Sequence, residues 1–385
     1  MKFETRAIHE GEEPNFKEGG AGDAVIPIHL SSTFGRKEVD VPTQGYEYSR
    51  TQNPTRKALE QKLASLENAN YGLAFSSGMA AETTVLLSLL KTGDHIIAFD
   101  DLYGGTRRLF DKIFHQNFNI QISYVDARNL KEIENSITKN TKLIWLESPT
   151  NPLLKICDIA AISEIGKKHS IHVIVDNTFM SPYFQNPLNL GADIVLHSTT
   201  KYLNGHSDSV GGCVMLNDKE NYEKIKFAQN AAGAILSPFD SYLVSRGIKT
   251  LALRMKKHEE NASKISHYLQ KQKKVLKINY PGLESHPEFK LAKKQMSGFG
   301  GMISFELDSD IIGTKKFVEN LKYFLIAESL GGVESLIEIP SMMTHAAIPK
   351  SDRDKIGLKD NLIRISVGIE NIDDLLEDLE QAFNP

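Results

Sequence analysis

The chain has 385 residues, 41% hydrophobic and 24% charged, which is enough for two domains with substantial cores. A formal net charge of −4, with no long basic run or interleaved basic-aromatic patch, argues against a nucleic-acid partner. No apolar run approaches a membrane span, Met1-Lys2-Phe3-Glu4-Thr5-Arg6 has no signal core, and Cys157 and Cys213 sit in apolar surroundings like buried free thiols; these features predict a cytoplasmic protein, neither secreted nor spanning.

Residues 1–53 have mixed polarity and no clear helical period, which suits an extended arm. Asn53 as N-cap and Pro54 in the first turn open a helix whose apolar face, Leu59, Leu63 and Leu66, runs through Glu67. Leu73-Ala74-Phe75 predicts a short strand, Ser76-Ser77-Gly78-Met79 a turn, and Ala80 to Leu90 a helix. Strand patterns follow at His95 to Phe99, Ile120 to Val125, Leu143 to Leu146, Ile171 to Asp176 and Asp193 to His197, with helical patterns between most of them. This alternation predicts an α/β fold with a mainly parallel sheet covered on both faces and ligand groups at strand ends. From about Arg246 the pattern changes to a Lys-rich helix over Lys249 to Gln272, strands at Met302 to Leu307 and Leu362 to Val367, and an acidic helix near Asp373 to Phe383. The predicted organisation is an arm over 1–53, a large domain over 54–245 and a smaller α+β domain over 246–385.

The most informative residue is Lys201, which closes the run Asp193-Ile194-Val195-Leu196-His197-Ser198-Thr199-Thr200-Lys201. A lysine that forms an imine with an aldehyde cofactor must be partly desolvated and stand near groups that hold the cofactor's phosphate. Ser198 and Thr200 supply two hydroxyls beside it. Such a cofactor also needs a carboxylate at its pyridine nitrogen, and Asp176, followed by Asn177-Thr178 one strand earlier, fits. The Ser76-Ser77-Gly78-Met79 turn adds a helix N-terminus at Gly78 and Met79, an anion site by geometry. Separately these signals are a polar loop, a strand-end cap and a helix cap; their order makes them one site. No GxGxxG follows a predicted strand, which excludes a dinucleotide fingerprint, and His9, His29, His172, His197, His206 and His345 have no tight metal-ligand spacing, so no metal is expected.

Carried by Tyr46-Glu47-Tyr48-Ser49-Arg50, Ser76-Ser77-Gly78-Met79, Tyr103-Gly104-Gly105-Thr106, Glu147-Ser148-Pro149-Thr150-Asn151-Pro152, Val175-Asp176-Asn177-Thr178, His197 to Tyr202 and Leu362 to Gly368, the whole chain resembles the Cys/Met-metabolism PLP-dependent enzymes. The resemblance implies a PLP-dependent transferase-like large domain of fold type I, aspartate aminotransferase-like, and pyridoxal 5'-phosphate as cofactor. It implies that Lys201 carries the cofactor, Asp176 partners the pyridine nitrogen, and Tyr103 stacks on the ring and exchanges protons with the substrate. Gly78, Met79, Ser198 and Thr200 are implied as phosphate ligands, Thr178 as a further cofactor contact, and Asn151 as a neighbour of the 3-hydroxyl. Tyr48 and Arg50 are implied to reach the phosphate of a neighbouring subunit, in a homotetramer with shared sites. Arg364 is implied to bind the substrate carboxylate, with Glu328, Ser329, Thr344 and Arg108 shaping the distal pocket. A small sulfur amino-acid substrate follows, and γ-elimination of cystathionine in transsulfuration is the expected activity. Cystathionine gamma-synthase is the alternative, followed by methionine gamma-lyase and homoserine sulfhydrylase. Gly105 departs from the cysteine found in methionine gamma-lyases, which lowers that reading. Aminotransfer is weakened by the sulfur-family motifs, and a non-catalytic relative by the intact Lys201, Asp176 and Arg364.

Overall fold

The computed structural model describes residues 1–16, 20–346 and 348–384. Its strands are β1 (Tyr71–Phe75), β2 (His95–Phe99), β3 (Gln121–Val125), β4 (Thr141–Glu147), β5 (His172–Asp176), β6 (Ile194–Ser198), β7 (Gly212–Leu216), β8 (Val275–Asn279), β9 (Met302–Leu307), β10 (Leu325–Ile326), β11 (Leu336–Glu338) and β12 (Leu362–Ser366). The first seven form one sheet in the order β1-β7-β6-β5-β4-β2-β3. Side chains alternate between the two faces of a strand. Here both sets are apolar: Leu73, Phe75, Ile194 and Leu196 join one core, while Ala74, Val195, Cys213 and Met215 join another. A sheet apolar on both faces must be covered on both, which is why βα alternation is legible in the chain.

The Pro54–Leu66 helix begins as the sequence predicts, with Asn53 accepting from the Thr55 and Arg56 N–H groups at 2.9 and 3.3 Å. Leu59, Leu63 and Leu66 are buried. Elsewhere the structure departs from expectation. Phe3–His9 is a helix within the expected arm. β7, unread in the sequence, lies antiparallel to both β1 and β6. Its five residues, Gly-Cys-Val-Met-Leu, are an apolar run too short for periodicity to separate strand from helix. The Lys249–Gln272 helix is instead Leu251–Leu269, divided at Thr250 from a second helix, Pro238–Ile248, that contains Arg246. The Tyr103-Gly104-Gly105-Thr106 turn is the N-terminus of a helix, Gly104–Arg108, continuous with a π-helical segment, Leu109–His115.

The second sheet has the order β10-β11-β12-β9-β8. β12 is its middle strand, antiparallel to β11 and β9, and places Arg364 opposite Glu338 on one side and Ser304 on the other. Its core gathers Ile303, Phe305, Ile363 and Ile365 against Ile265 and Leu269 of the long helix and Leu375, Leu379 and Phe383 of the closing helix, Ile372–Phe383. Among the described residues, no helix is long and apolar enough to cross a membrane.

Candidate active site

Glu147, Asp176 and Ser198 are the last residues of β4, β5 and β6, which run parallel, so the sheet presents three polar side chains along one end. They border a cavity of about 330 Å³ that also takes in the Ser77–Met79 turn, Tyr103, Asn151, Thr178, Thr200 and Lys201. Its opposite wall comes from the smaller sheet and its connections, with Glu328, Ser329, Thr344 and Arg364.

Lys201 follows Ser198 by one turn, and its Nζ donates to Ser329 Oγ at 2.6 Å. Burial brings its pKa down to about 8, and the nearby Arg364 charge acts in the same direction. A lysine with a neutral amine within reach of ordinary pH suits imine chemistry. Ser329 has φ +91°, in the region that a side chain disfavours, while its Oγ receives Lys201 and its carbonyl accepts from Arg364 Nη2 at 2.7 Å. Strain held between two such contacts points to a functional constraint.

Desolvation pushes the half-buried Asp176 carboxyl above the usual range; two Thr178 donors and the neighbouring His197 pull the other way. Thr178 N–H and Oγ1 both donate to Oδ1, at 2.9 and 2.5 Å, and Oδ2 takes part in neither bond. Thr178 Oγ1 in turn accepts from the Ser198 N–H at 2.9 Å, which locks the ends of β5 and β6 together. Ser77 caps the helix Gly78–Leu89 by accepting from the Ala80 N–H at 3.0 Å. The N–H groups of that first turn have no partner within the helix and carry its positive dipole end. A Cβ on Gly78 would stand 3.2 Å from Ser198 Cβ, so glycine keeps the helix end and the β6 end close.

Tyr103 is held through its N–H, which donates to Glu147 Oε2 at 2.9 Å. Burial raises its phenol pKa, which Arg108 partly offsets. A Cβ on Gly105 would lie 2.3 Å from the Tyr103 ring, so glycine at 105 sets the ring's position. Asn151 N–H donates to Glu147 Oε1 at 2.7 Å, and Asn151 Oδ1 accepts from Arg364 Nη1 at 2.9 Å. Arg364 is buried and paired with Glu338 at 3.0 Å, leaving its Nε without a partner. Thr344 Oγ1 donates to Glu338 at 2.7 Å.

The cavity thus gathers Gly78, Met79, Tyr103, Asn151, Asp176, Thr178, Ser198, Thr200, Lys201, Glu328, Ser329, Thr344 and Arg364. Three sequence candidates stand outside its lining. Arg108 is exposed, close enough to Tyr103 to act on it through charge. Tyr48 and Arg50 lie on the surface, with Arg50 bonded to the Asn230 carbonyl at 2.6 Å. Sequence reasoning missed Glu82, Glu147 and Glu338. Glu147 had a signal, being the strand-end carboxyl that precedes Asp176 by one strand. Glu82 and Glu338 had none, because helical and strand glutamates ordinarily face solvent.

The residues fit pyridoxal phosphate on three grounds: an amine with depressed basicity, a half-buried carboxylate with one oxygen uncommitted, and a glycine-opened helix N-terminus for the phosphate. The family model described as Cys/Met metabolism PLP-dependent enzyme matches residues 4–384. A cystathionine beta-lyase of Lactococcus lactis subsp. cremoris (strain MG1363) is 54% identical over 381 residues, covering 99% of this chain and 98% of the relative. The crystal structure of cystathionine gamma-lyase from Lactobacillus plantarum, complexed with L-serine, has a TM-score of 0.96 at 51% identity, covering 100% of this chain and 99% of that one. That of cystathionine gamma synthase from Xanthomonas oryzae pv. oryzae, in complex with cystathionine, has a TM-score of 0.96 at 41% identity, covering 100% and 98%.

Proposed function

The chain belongs to the Cys/Met metabolism PLP-dependent enzyme family, and from that premise we propose that it cleaves cystathionine and water to cysteine, 2-oxobutyrate and ammonia, breaking the γ carbon–sulfur bond. The observation that carries this reading is Arg364 and Glu328 on one cavity wall: a buried guanidinium, and an exposed carboxylate on a stretch that also borders the neighbouring groove. Cystathionine has amino-acid groups at both ends. Arg364, flanked by Asn151, grips one carboxylate with its planar fork and fixes which Cα bond faces the cofactor. Glu328 holds the far ammonium.

Bound pyridoxal phosphate supplies an electron-accepting ring that makes protons at the substrate's Cα and then Cβ removable. With the cofactor bound, Asp176 would hold the proton of the ring nitrogen, and the free Lys201 amine would be the base for both carbon protons. Cleavage at the β carbon needs only the Cα proton, whereas γ cleavage needs a base that reaches two adjacent carbons. A long unbranched lysine stem on a turn, anchored among the described residues by Ser329 Oγ, has that reach. Tyr103, 37% exposed at the cavity and with its phenol pKa raised by partial desolvation, delivers a proton to the departing sulfur.

The test is a product assay on purified holoenzyme given cystathionine, then an O-acylhomoserine with cysteine. Cysteine with 2-oxobutyrate supports γ cleavage. Homocysteine with pyruvate would make it a β-lyase, and faster cystathionine synthesis from the ester would make it a synthase; either result overturns the proposal.

A further inference from the structure

Glu82 has no part in the chemistry above, yet it lines the same cavity from the first turns of the Gly78–Leu89 helix and is 3% exposed. Its Oε1 accepts from Thr106 Oγ1 at 3.0 Å. Its Oε2 is buried and has no hydrogen-bond partner. A buried carboxyl oxygen left unpaired costs free energy unless a ligand completes it.

The charge balance around it is lopsided. Among the described residues, four carboxyl groups line the cavity, Glu82, Glu147, Asp176 and Glu328, against two cations, Lys201 and Arg364. Arg364 is already paired with Glu338. The groups that bear on Glu82 come from two further elements: Asp176 at the end of β5, and Tyr103 and Thr106 at the start of the next helix. Glu82, Glu147 and Asp176 are served unequally. Asp176 receives two donors on one oxygen, and Glu147 receives a backbone N–H on each oxygen. Glu82 receives a single hydroxyl, and burial together with the Asp176 charge pushes its pKa well above the usual carboxyl value. Among the three it is the one with a fully buried oxygen that no donor reaches.

We propose that Glu82 is a positioning residue for the cofactor: a carboxylic acid that stays protonated, donates from Oε2 to an acceptor atom of bound pyridoxal phosphate, and leaves Asp176 as the anion for the ring nitrogen. The donor is aimed at the cofactor rather than the substrate, because Glu82 neighbours Asp176 while the substrate carboxylate belongs to Arg364. This assignment is independent of which carbon–sulfur bond is cleaved, so a β-lyase or synthase outcome above leaves it intact.

The test uses Glu82→Gln and Glu82→Leu, with folding of each checked by far-ultraviolet circular dichroism. Glutamine is a permanently neutral donor of the same length and is expected to keep cofactor affinity and the pH midpoint of the visible absorbance close to wild type. Leucine keeps the bulk without the donor, and is expected to weaken cofactor retention about tenfold, the scale of one lost hydrogen bond. The infrared difference between wild-type and Glu82→Gln holoenzyme is expected to contain the carbonyl stretch of a protonated carboxylic acid, and that stretch is expected to shift when the cofactor is loaded onto apoenzyme, a change that a merely structural protonated glutamate would not show. Three results overturn the proposal: a carboxylate band in that difference, a displaced midpoint in Glu82→Gln, or unchanged cofactor affinity in Glu82→Leu, with or without a raised KM for substrate.

Discussion

Lys201 shows how a single side chain's chemistry follows from its surroundings. A solvated lysine holds its proton to about pH 10.4, whereas burial brings this one down to about 8. The folded state disfavours the charged form, so the neutral amine appears once pH rises through about 8. Attachment of pyridoxal phosphate to apoenzyme is therefore expected to accelerate roughly tenfold per pH unit below that value and to level off above it. Stopped-flow recording of the visible band checks this; a rate that keeps rising toward pH 10 would show an ordinary lysine. Lys201→Ala is expected to lose the band altogether, and a variant that stayed yellow would remove the lysine from its role. Lys201 and Asp176 were legible because one follows and the other ends a recognisable apolar strand, in the order the cofactor requires. Glu338 was not, since nothing in Leu336-Ile337-Glu338 distinguishes a buried partner of Arg364 from a solvent-facing strand residue.

At the scale of elements, the Ser77–Met79 turn depends on how closely three pieces of backbone approach. Gly78 opens the helix, Ser198 ends β6, and Gly212 begins β7, the strand that sequence periodicity did not reveal. A Cβ on Gly212 would fall 2.3 Å from the Ser77 carbonyl oxygen and 2.7 Å from Gly78 Cα. Backbone on both sides cannot yield, so Gly212→Ala must displace the turn. Expected consequences are a loss of about 1–3 kcal/mol in stability, the range for overpacking, and weaker cofactor retention. Gly35→Ala, where a Cβ meets nothing within 4 Å, is the matched control. Urea denaturation and cofactor titration of both variants decide it, and a Gly212→Ala protein that behaved like the control would contradict the close approach. Helix starts with strong local chemistry, such as Asn53-Pro54, were readable residue by residue. The antiparallel placement of β7 and the break at Thr250 were not, because pairing partners and inter-helix packing are long-range facts that five or six residues do not encode.

At the scale of the whole molecule, the site is a seam between two sheets. The larger sheet contributes Glu147, Asp176 and Ser198, followed by Lys201, and the smaller one Arg364, with Ser329 and Thr344 from its connections. Asn151 ties them: its Oδ1 accepts from Arg364 at 2.9 Å, and its carbonyl meets His345 Nε2 at 3.1 Å. The Tyr48 and Arg50 side chains stay outside this seam, in a stretch whose neighbours Leu30 and Val39 are 73% and 94% exposed. Apolar residues so uncovered fit a surface that a second copy buries. We propose that each arm completes its neighbour's phosphate site. Under that arrangement a Lys201→Ala subunit and an Arg50→Ala subunit paired in one dimer place both lesions in the same site. A hybrid then holds one site with both residues intact and one with both lost. Equal mixing of the two subunits by unfolding and reassembly is expected to restore activity to about a quarter of wild type, since half the dimers are hybrids with one good site of two. Recovery no greater than the sum of the unmixed variants would place Arg50 in its own subunit's chemistry, or in none.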